Sequence, residues 1–164
     1  MIYRFRIILD VNEDVLRDIE IEETATLEEL HHAITQAFGF LGNEMASFYR
    51  SDQEWTQGEE MSLEAMDPTQ ESFGDQALNS VICADQHHLI YVYDFLNLWT
   101  FFVELMEVGE TITGTTYPNL IHALGEVPEE APVKLFESEL STENTEETDL
   151  DGENSDDYDD SAFY

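Results

Sequence analysis

The stretch from His88 to Val108, HLIYVYDFLNLWTFFVELMEV, decides the fold. Two blocks dense in aromatic and β-branched residues flank a break at Asp94-Phe95-Leu96-Asn97. Such side chains suit a pleated surface buried on at least one face, so the run predicts a β-hairpin or two consecutive buried strands, over 88–95 and 99–107. Asp94 is an acid at the end of an otherwise apolar strand. It is either a chemically active carboxyl or, more simply, a turn residue that caps the break before Trp99.

Upstream, residues 2–10 alternate aromatic or aliphatic residues with arginine before closing on Ile7-Ile8-Leu9, which predicts a first strand. Asp10 to Asp14 is turn-rich, and Leu16, Ile19 and Ile21 support a second strand. Thr26 and Glu29 form a Thr-x-x-Glu capping box ahead of LEELHHAITQAFG. Leu27, Leu30, Ile34, Ala37 and Phe38 recur at helical spacing, and Gly39 is placed to stop the helix. Glu44 to Arg50 reads as a third strand with Met45, Phe48 and Tyr49 as its bulky residues. Residues 51–75, polar and broken by Gly58, Pro68 and Gly74, read as a long connection with short local structure, and Asp75 to Ala84 as a short helix.

Downstream of Gly109 the sequence reads as irregular, punctuated by Gly114, Pro118, Gly125, Pro128 and Pro132, with a last apolar contact from Val133, Leu135 and Phe136. Residues 137–164 contain no basic residue and little to bury, so their conformational entropy cannot be offset by a core, and a disordered tail is expected. Tyr158, Phe163 and Tyr164 stand among aspartates at its end. They resemble a short docking peptide, although incidental aromatics in a solubilising tail are the simpler reading. The expected architecture is α+β: one compact domain over 1–136, with a mainly antiparallel sheet packed by one main helix and short helices. The acidic tail follows it.

Charge restricts function more than any motif does. The chain carries 38 acidic residues against five basic ones, a net charge of -33. Twelve of the acids fall in 137–164, so residues 1–136 keep 26 acids against the same five bases, or -21. Nucleic-acid binding needs Lys/Arg to neutralise phosphates and release counterions. Arg4, Arg6, Arg17, Arg50 and Lys134 are too few and too scattered for that, and for docking on anionic lipid. The one cysteine, Cys83, excludes an internal disulfide and fits a reducing cytosol, and its apolar surroundings Val81-Ile82-Cys83-Ala84 predict burial. With no signal-peptide core and no apolar run of membrane-spanning length, a soluble cytoplasmic protein is expected.

No catalytic motif emerges. G-x-S-x-G, G-x-G-x-x-G and Walker loops are absent, and carboxylate pairs are uninformative among so many acids. His31-His32 and His87-His88 invite a metal reading. Adjacent histidines on a helix point about 100° apart, and on a strand they face opposite sides, so neither pair chelates alone. A site would need one histidine from each pair plus a carboxylate such as Asp94. Packing of His31 at the helix–sheet boundary is the simpler role. No cofactor and no metal are expected.

The block Thr26-Leu27-Glu28-Glu29-Leu30-His31 followed by Ala37-Phe38-Gly39-Phe40 resembles the "TL-x-x-LH … AFGW" element of the plasmid pRiA4b ORF-3-like family. Tyr91-Val92-Tyr93-Asp94-Phe95 and Trp99 are similar to its "YxYDFGDxWxH" element. Tyr117-Pro118, Gly125 and Pro128-Glu129-Glu130 are similar to its late "YP … G … PPED" stretch. The resemblance runs over residues 1–132. It implies a compact α+β domain, often encoded on mobile elements, with no assigned reaction. It also draws attention to His31, Tyr93, Asp94 and Trp99 as candidate binding residues. Leu96-Asn97 replace the pattern's Gly-Asp, Phe101 its histidine after Trp, Leu16-Arg17-Asp18 its Trp-Arg-Arg, and Glu44-Met45-Ala46 its His-x-His. An apolar group cannot serve as acid, base or ligand, so these replacements argue against an enzyme.

Three functions are therefore expected in order. The first is a non-catalytic acidic module that docks on a basic protein. The second is a small-molecule or metal-dependent enzyme around His31 and Asp94. The third is an acidic mimic of nucleic acid; a salty cytoplasm with no partner at all would also account for the charge. The oligomeric state is open.

Overall fold

A computed structural model of the chain describes residues 1–64 and 72–132. The expected contact at Val133, Leu135 and Phe136 lies outside the described residues, as do the expected tail over 137–164 and its aromatics Tyr158, Phe163 and Tyr164. In chain order the elements are β1 (Ile2–Leu9), β2 (Leu16–Glu22), α1 (Leu27–Phe38), β3 (Ala46–Ser51), β4 (Glu60–Ser62), α2 (Leu78–Val81), β5 (His88–Tyr93), β6 (Trp99–Gly109) and β7 (Asn119–Leu124). The strands form one sheet in the order β4-β3-β5-β6-β1-β2-β7, and every pairing is antiparallel.

The run that opened the sequence reading is a hairpin. Tyr93 pairs with Trp99, Tyr91 with Phe101 and Leu89 with Val103, which fixes the register of β5 against β6. Because side chains alternate across a strand, Leu89, Tyr91, Tyr93, Trp99, Phe101 and Val103 share one face. Phe48 of β3 and Phe5 and Ile7 of β1 fall on the same face by register. That face carries the core: Phe5, Ile7, Phe48, Tyr91 and Phe101 are fully buried against Leu27, Leu30 and Ile34 of α1.

The local rules written in the sequence close α1 at both ends. The Thr26 Oγ1 accepts from the Glu29 amide at 3.1 Å, and the Glu29 Oε1 accepts from the Thr26 amide at 2.8 Å. At the other end Gly39 adopts φ 86°, a left-handed conformation open to glycine without the strain a Cβ adds. The apolar stripe Leu27, Leu30, Ile34 and Phe38 is buried as its spacing requires.

The opposite face of the sheet is polar in a regular way. By register His88, Glu104, Arg6, Asp18 and His122 form one row across β5, β6, β1, β2 and β7. The Arg6 Nε and Nη2 donate to the two carboxylate oxygens of Asp18, each at 2.9 Å, and His88 lies 3.5 Å from Glu104. The Trp55 ring covers part of this face, 4.8 Å from the His88 ring and 5.1 Å from Phe102.

Within the connection 51–75 the short local structure is the three-residue strand β4, which sits at the sheet edge with only Met61 buried. Three expectations need correction. The short helix is four residues long and not ten, because the Ile82 amide closes onto the Leu78 carbonyl and the chain then leaves the helix. Cys83 is exposed, not buried. Val81 and Ile82 take the core positions while Cys83 and Gln86 close a small turn through Cys83 N to Gln86 O (3.3 Å) and Gln86 N to Cys83 O (3.0 Å). Finally, the region after Gly109 that reads as irregular contains β7, paired to β2 from Leu16↔Leu124 to Glu20↔Asn119 with a bulge between Asp18 and Ile19.

Candidate functional site

The resemblance in the sequence pointed to His31, Tyr93, Asp94 and Trp99. Three of these meet where the middle of α1 crosses the β5–β6 hairpin. The His31 ring lies 6.2 Å from Tyr93 and 5.8 Å from Tyr91. Phe40, just past the helix, lies 5.3 Å from Tyr93 and 4.9 Å from Trp99, and so joins the two strands' aromatics to the helix end. Trp99 itself is a core residue.

His31 is buried and its Nδ1 is hydrogen-bonded to the Tyr91 hydroxyl. Burial pulls the imidazole down to about 4; the adjacent His32 adds to the shift, and a hydrogen bond to the Gly42 backbone opposes it. The same burial pushes the Tyr91 phenol well above the ordinary range, with Tyr93 adding to the effect. Both groups are therefore neutral near pH 7, and which of them donates follows from the imidazole tautomer. Tyr93, two residues along the same face, fastens the loop after α1. Its hydroxyl accepts from the Gly42 amide at 3.0 Å and the Asn43 amide at 3.2 Å, and lies 3.4 Å from the Asn43 Oδ1.

Asp94 does not join this cluster chemically. It sits at φ 67° and its carboxylate serves its own loop: Oδ1 accepts from the Leu96 amide at 3.1 Å, and Oδ2 accepts from the Asn97 Nδ2 at 2.7 Å. Its amide donates to the Met45 carbonyl at 2.8 Å, and its own carbonyl accepts from the Leu98 amide at 2.6 Å. The turn role is the one the structure gives it.

Beside His31 a cleft of about 150 Å³ opens, lined among others by His32, Asn43 and the carboxylates of Glu28, Glu44 and Glu64. Its volume falls below the roughly 300 Å³ at which ligand pockets begin. Asp94 is not among its lining residues. His31 and His88 lie on opposite faces of the sheet, since His88 alternates with Leu89 while His31 packs against Tyr91 and Tyr93. The metal arrangement that joined these two histidines with Asp94 is not assembled. Among the described residues no group of three His, Cys, Asp or Glu side chains is placed to hold a metal ion.

The residues that sequence reading left out of the candidate set are Tyr91, which holds His31, and Phe40, which joins Tyr93 to Trp99. Period-two alternation puts Tyr91 on the face of Tyr93, so this partner was available from spacing alone. No such signal exists for Glu44 and Glu64, which come from loops.

The plasmid pRiA4b ORF-3-like family matches residues 1–159. The chain belongs to this family. The crystal structure of a protein of unknown function, MM3350 from Methanosarcina mazei Go1, is similar in fold, with a TM-score of 0.65 at 19% identity. The match covers 74% of this chain and 68% of that one. No curated protein matches the chain. As a pRiA4b ORF-3-like protein the chain keeps the His31, Tyr91, Tyr93 and Trp99 positions of the family pattern while replacing its other histidines, and the structure uses these four for packing and for fixing loops. No helix among the described residues is long and apolar enough to cross a membrane.

Proposed function

We propose that this protein is a non-catalytic interaction module of the cytoplasm that docks through its acidic surface on a basic protein. The observation that carries the reading is the fate of its cations. Arg4 bridges Glu20 and Glu107, Arg6 is held by Asp18, Arg50 reaches Glu59 and the Val81 carbonyl, and Arg17 lies over the Phe38 ring and donates to four backbone carbonyls. Every described arginine is spent inside the domain, while the chain's net charge is -33. A field of one sign speeds encounter with a partner of the other sign and suppresses wrong partners. The candidate polar residues support the same reading, because His31 and Asp94 have their hydrogen-bonding capacity taken up by Tyr91 and by the hairpin loop.

The test is recovery of partners on the immobilised full chain and on a chain ended after Phe136, over a range of salt. Basic proteins held at low salt and released as salt rises support the reading, and a smaller yield from the shortened chain assigns part of the docking to 137–164. Partners retained equally at all salt concentrations would overturn it. A second reading, catalysis or small-molecule binding beside His31, draws on the carboxylate-lined cleft alone. It requires a His31→Gln variant to lose a measurable turnover or ligand.

A further inference from the structure

The sheet extends one strand beyond the helix that covers it. α1 packs over β2, and β7 lies beyond β2 at the edge of the sheet. Among the described residues no strand pairs with the outer side of β7. Exposed edges of this kind are ordinarily blunted by lysine, proline or a charge, because their free N–H and C=O groups template further pairing. β7 reads Asn-Leu-Ile-His-Ala-Leu, with no Lys, Arg, Asp, Glu or Pro, and Leu120, Ile121 and Leu124 are 48%, 38% and 47% exposed. Among the described residues its bulge is the one protective device within the strand. The strand is nonetheless firmly placed. It pairs with β2, and Arg17 donates to the Leu124 carbonyl at 2.9 Å and the Gly125 carbonyl at 3.2 Å.

Under this overhang, between α1 and β7, lies a cleft of about 210 Å³ lined by Ile19, Ala33, Ala37, Pro118 and Leu120 together with the amide side chains of Gln36 and Asn119. Pro118 also borders a second cleft that carries Glu22 and Glu29. A slot of aliphatic and amide side chains thus runs beside an open strand edge, with carboxylates in the cleft that adjoins it. We propose that an extended cationic polypeptide segment, alternating aliphatic residues with Lys or Arg, adds to the sheet along β7. Its aliphatic side chains enter the slot beside Leu120, and its cations meet the acidic rim. Main-chain pairing supplies affinity, and alternate side chains supply the selection. Charge chooses this occupant: a second copy of the chain brings another -33, and this chain's own residues 137–164 bring twelve acids and no base. The inference rests on the interaction-module reading above and names its partner and surface.

The test uses the isotopically labelled full chain and a synthetic eight-residue peptide that alternates lysine and valine. Expected are shifts and slowed hydrogen exchange at the amides of 119–124, and no binding by a glutamate–valine peptide. No binding is expected either from the lysine–valine peptide N-methylated along one edge. Leu120→Asp should weaken binding about tenfold or more although it adds negative charge, because it fills the slot with a carboxylate. An unchanged amide spectrum over β1 and β3–β6 in that variant shows that the fold is intact, and the N-methylated peptide on the unaltered chain tests the edge independently. Equal binding of the N-methylated peptide, or equal or tighter binding by the Leu120→Asp chain, would overturn edge pairing. Protection elsewhere than β7 would overturn this surface and leave the interaction module standing, and no binding of the cationic peptide at low salt would overturn both. Concentration-dependent dimerisation that Ile121→Lys abolishes would make a second copy the occupant, and the proposal would fall.

Discussion

His31, a candidate residue in the sequence, acts in the fold as one half of a buried pair with Tyr91. The buried pair is satisfied only if both partners are present. Removing one leaves a polar atom in the core, which costs roughly 1–3 kcal/mol, whereas removing both together can be nearly neutral. Tyr91→Phe is expected to destabilise by about 2 kcal/mol in urea titration, and His31→Leu with Tyr91→Phe by clearly less than the sum of the two. The lowered His31 titration also has a pH consequence. Between about 6.5 and 4 the unfolded chain binds a proton on this residue that the folded chain does not. The stability it contributes is whole above about 6.5 and falls by roughly 3 kcal/mol as the pH drops to about 4. Relief of carboxylate self-repulsion acts in the opposite direction over the same window, with His32, Glu28, Glu44 and Glu64 the nearest titratable neighbours along the cleft. The measurement is therefore the difference between the unaltered chain and His31→Gln, which should close as pH falls. At Asp94 the expectation is simpler: Asp94→Ala keeps the φ 67° strain and loses the carboxylate bonds, for about 2 kcal/mol, while Asp94→Asn costs less.

At the scale of elements, legibility followed burial. β1, β2, α1, β3, β5 and β6 each carry a buried face whose period is visible in the letters, and the helix adds a capping box and a stop glycine. β4 and β7 are the two edges of the sheet. β4 buries one residue, and β7 is intermediate or exposed throughout, so no inside–outside alternation exists in either to be read. Cys83 is the reverse case, since its apolar run reads as continuous burial but ends in a turn. At the candidate site the aromatic positions were legible through the family pattern, and their use as packing and loop anchors was not, because that depends on contacts between distant segments. Two glycines separate conformational from steric need. Gly39 has φ 86° and open space around a hypothetical Cβ, so Gly39→Ala should cost about 1 kcal/mol. Gly125 has φ 81° and its Cβ would stand 2.1 Å from the Asp14 carbonyl, so Gly125→Ala should move the backbone and lower Tm far more. Parallel thermal melts of the two variants check this ordering.

Across the described residues, one antiparallel sheet is covered by α1 on one face and bears a row of polar and charged side chains on the other, with Arg6 paired to Asp18. In the proposed docking, with the arginines consumed internally, the surplus of carboxylates would act over a range set by the Debye length, about 8 Å at physiological salt. The most direct measurement is calorimetric titration of the full chain with an oligolysine peptide across ionic strength. Binding that is evident at low salt and weakens steeply and continuously as salt rises is the result expected of an acidic docking module. Absence of binding at low salt, or an affinity indifferent to salt, would contradict it.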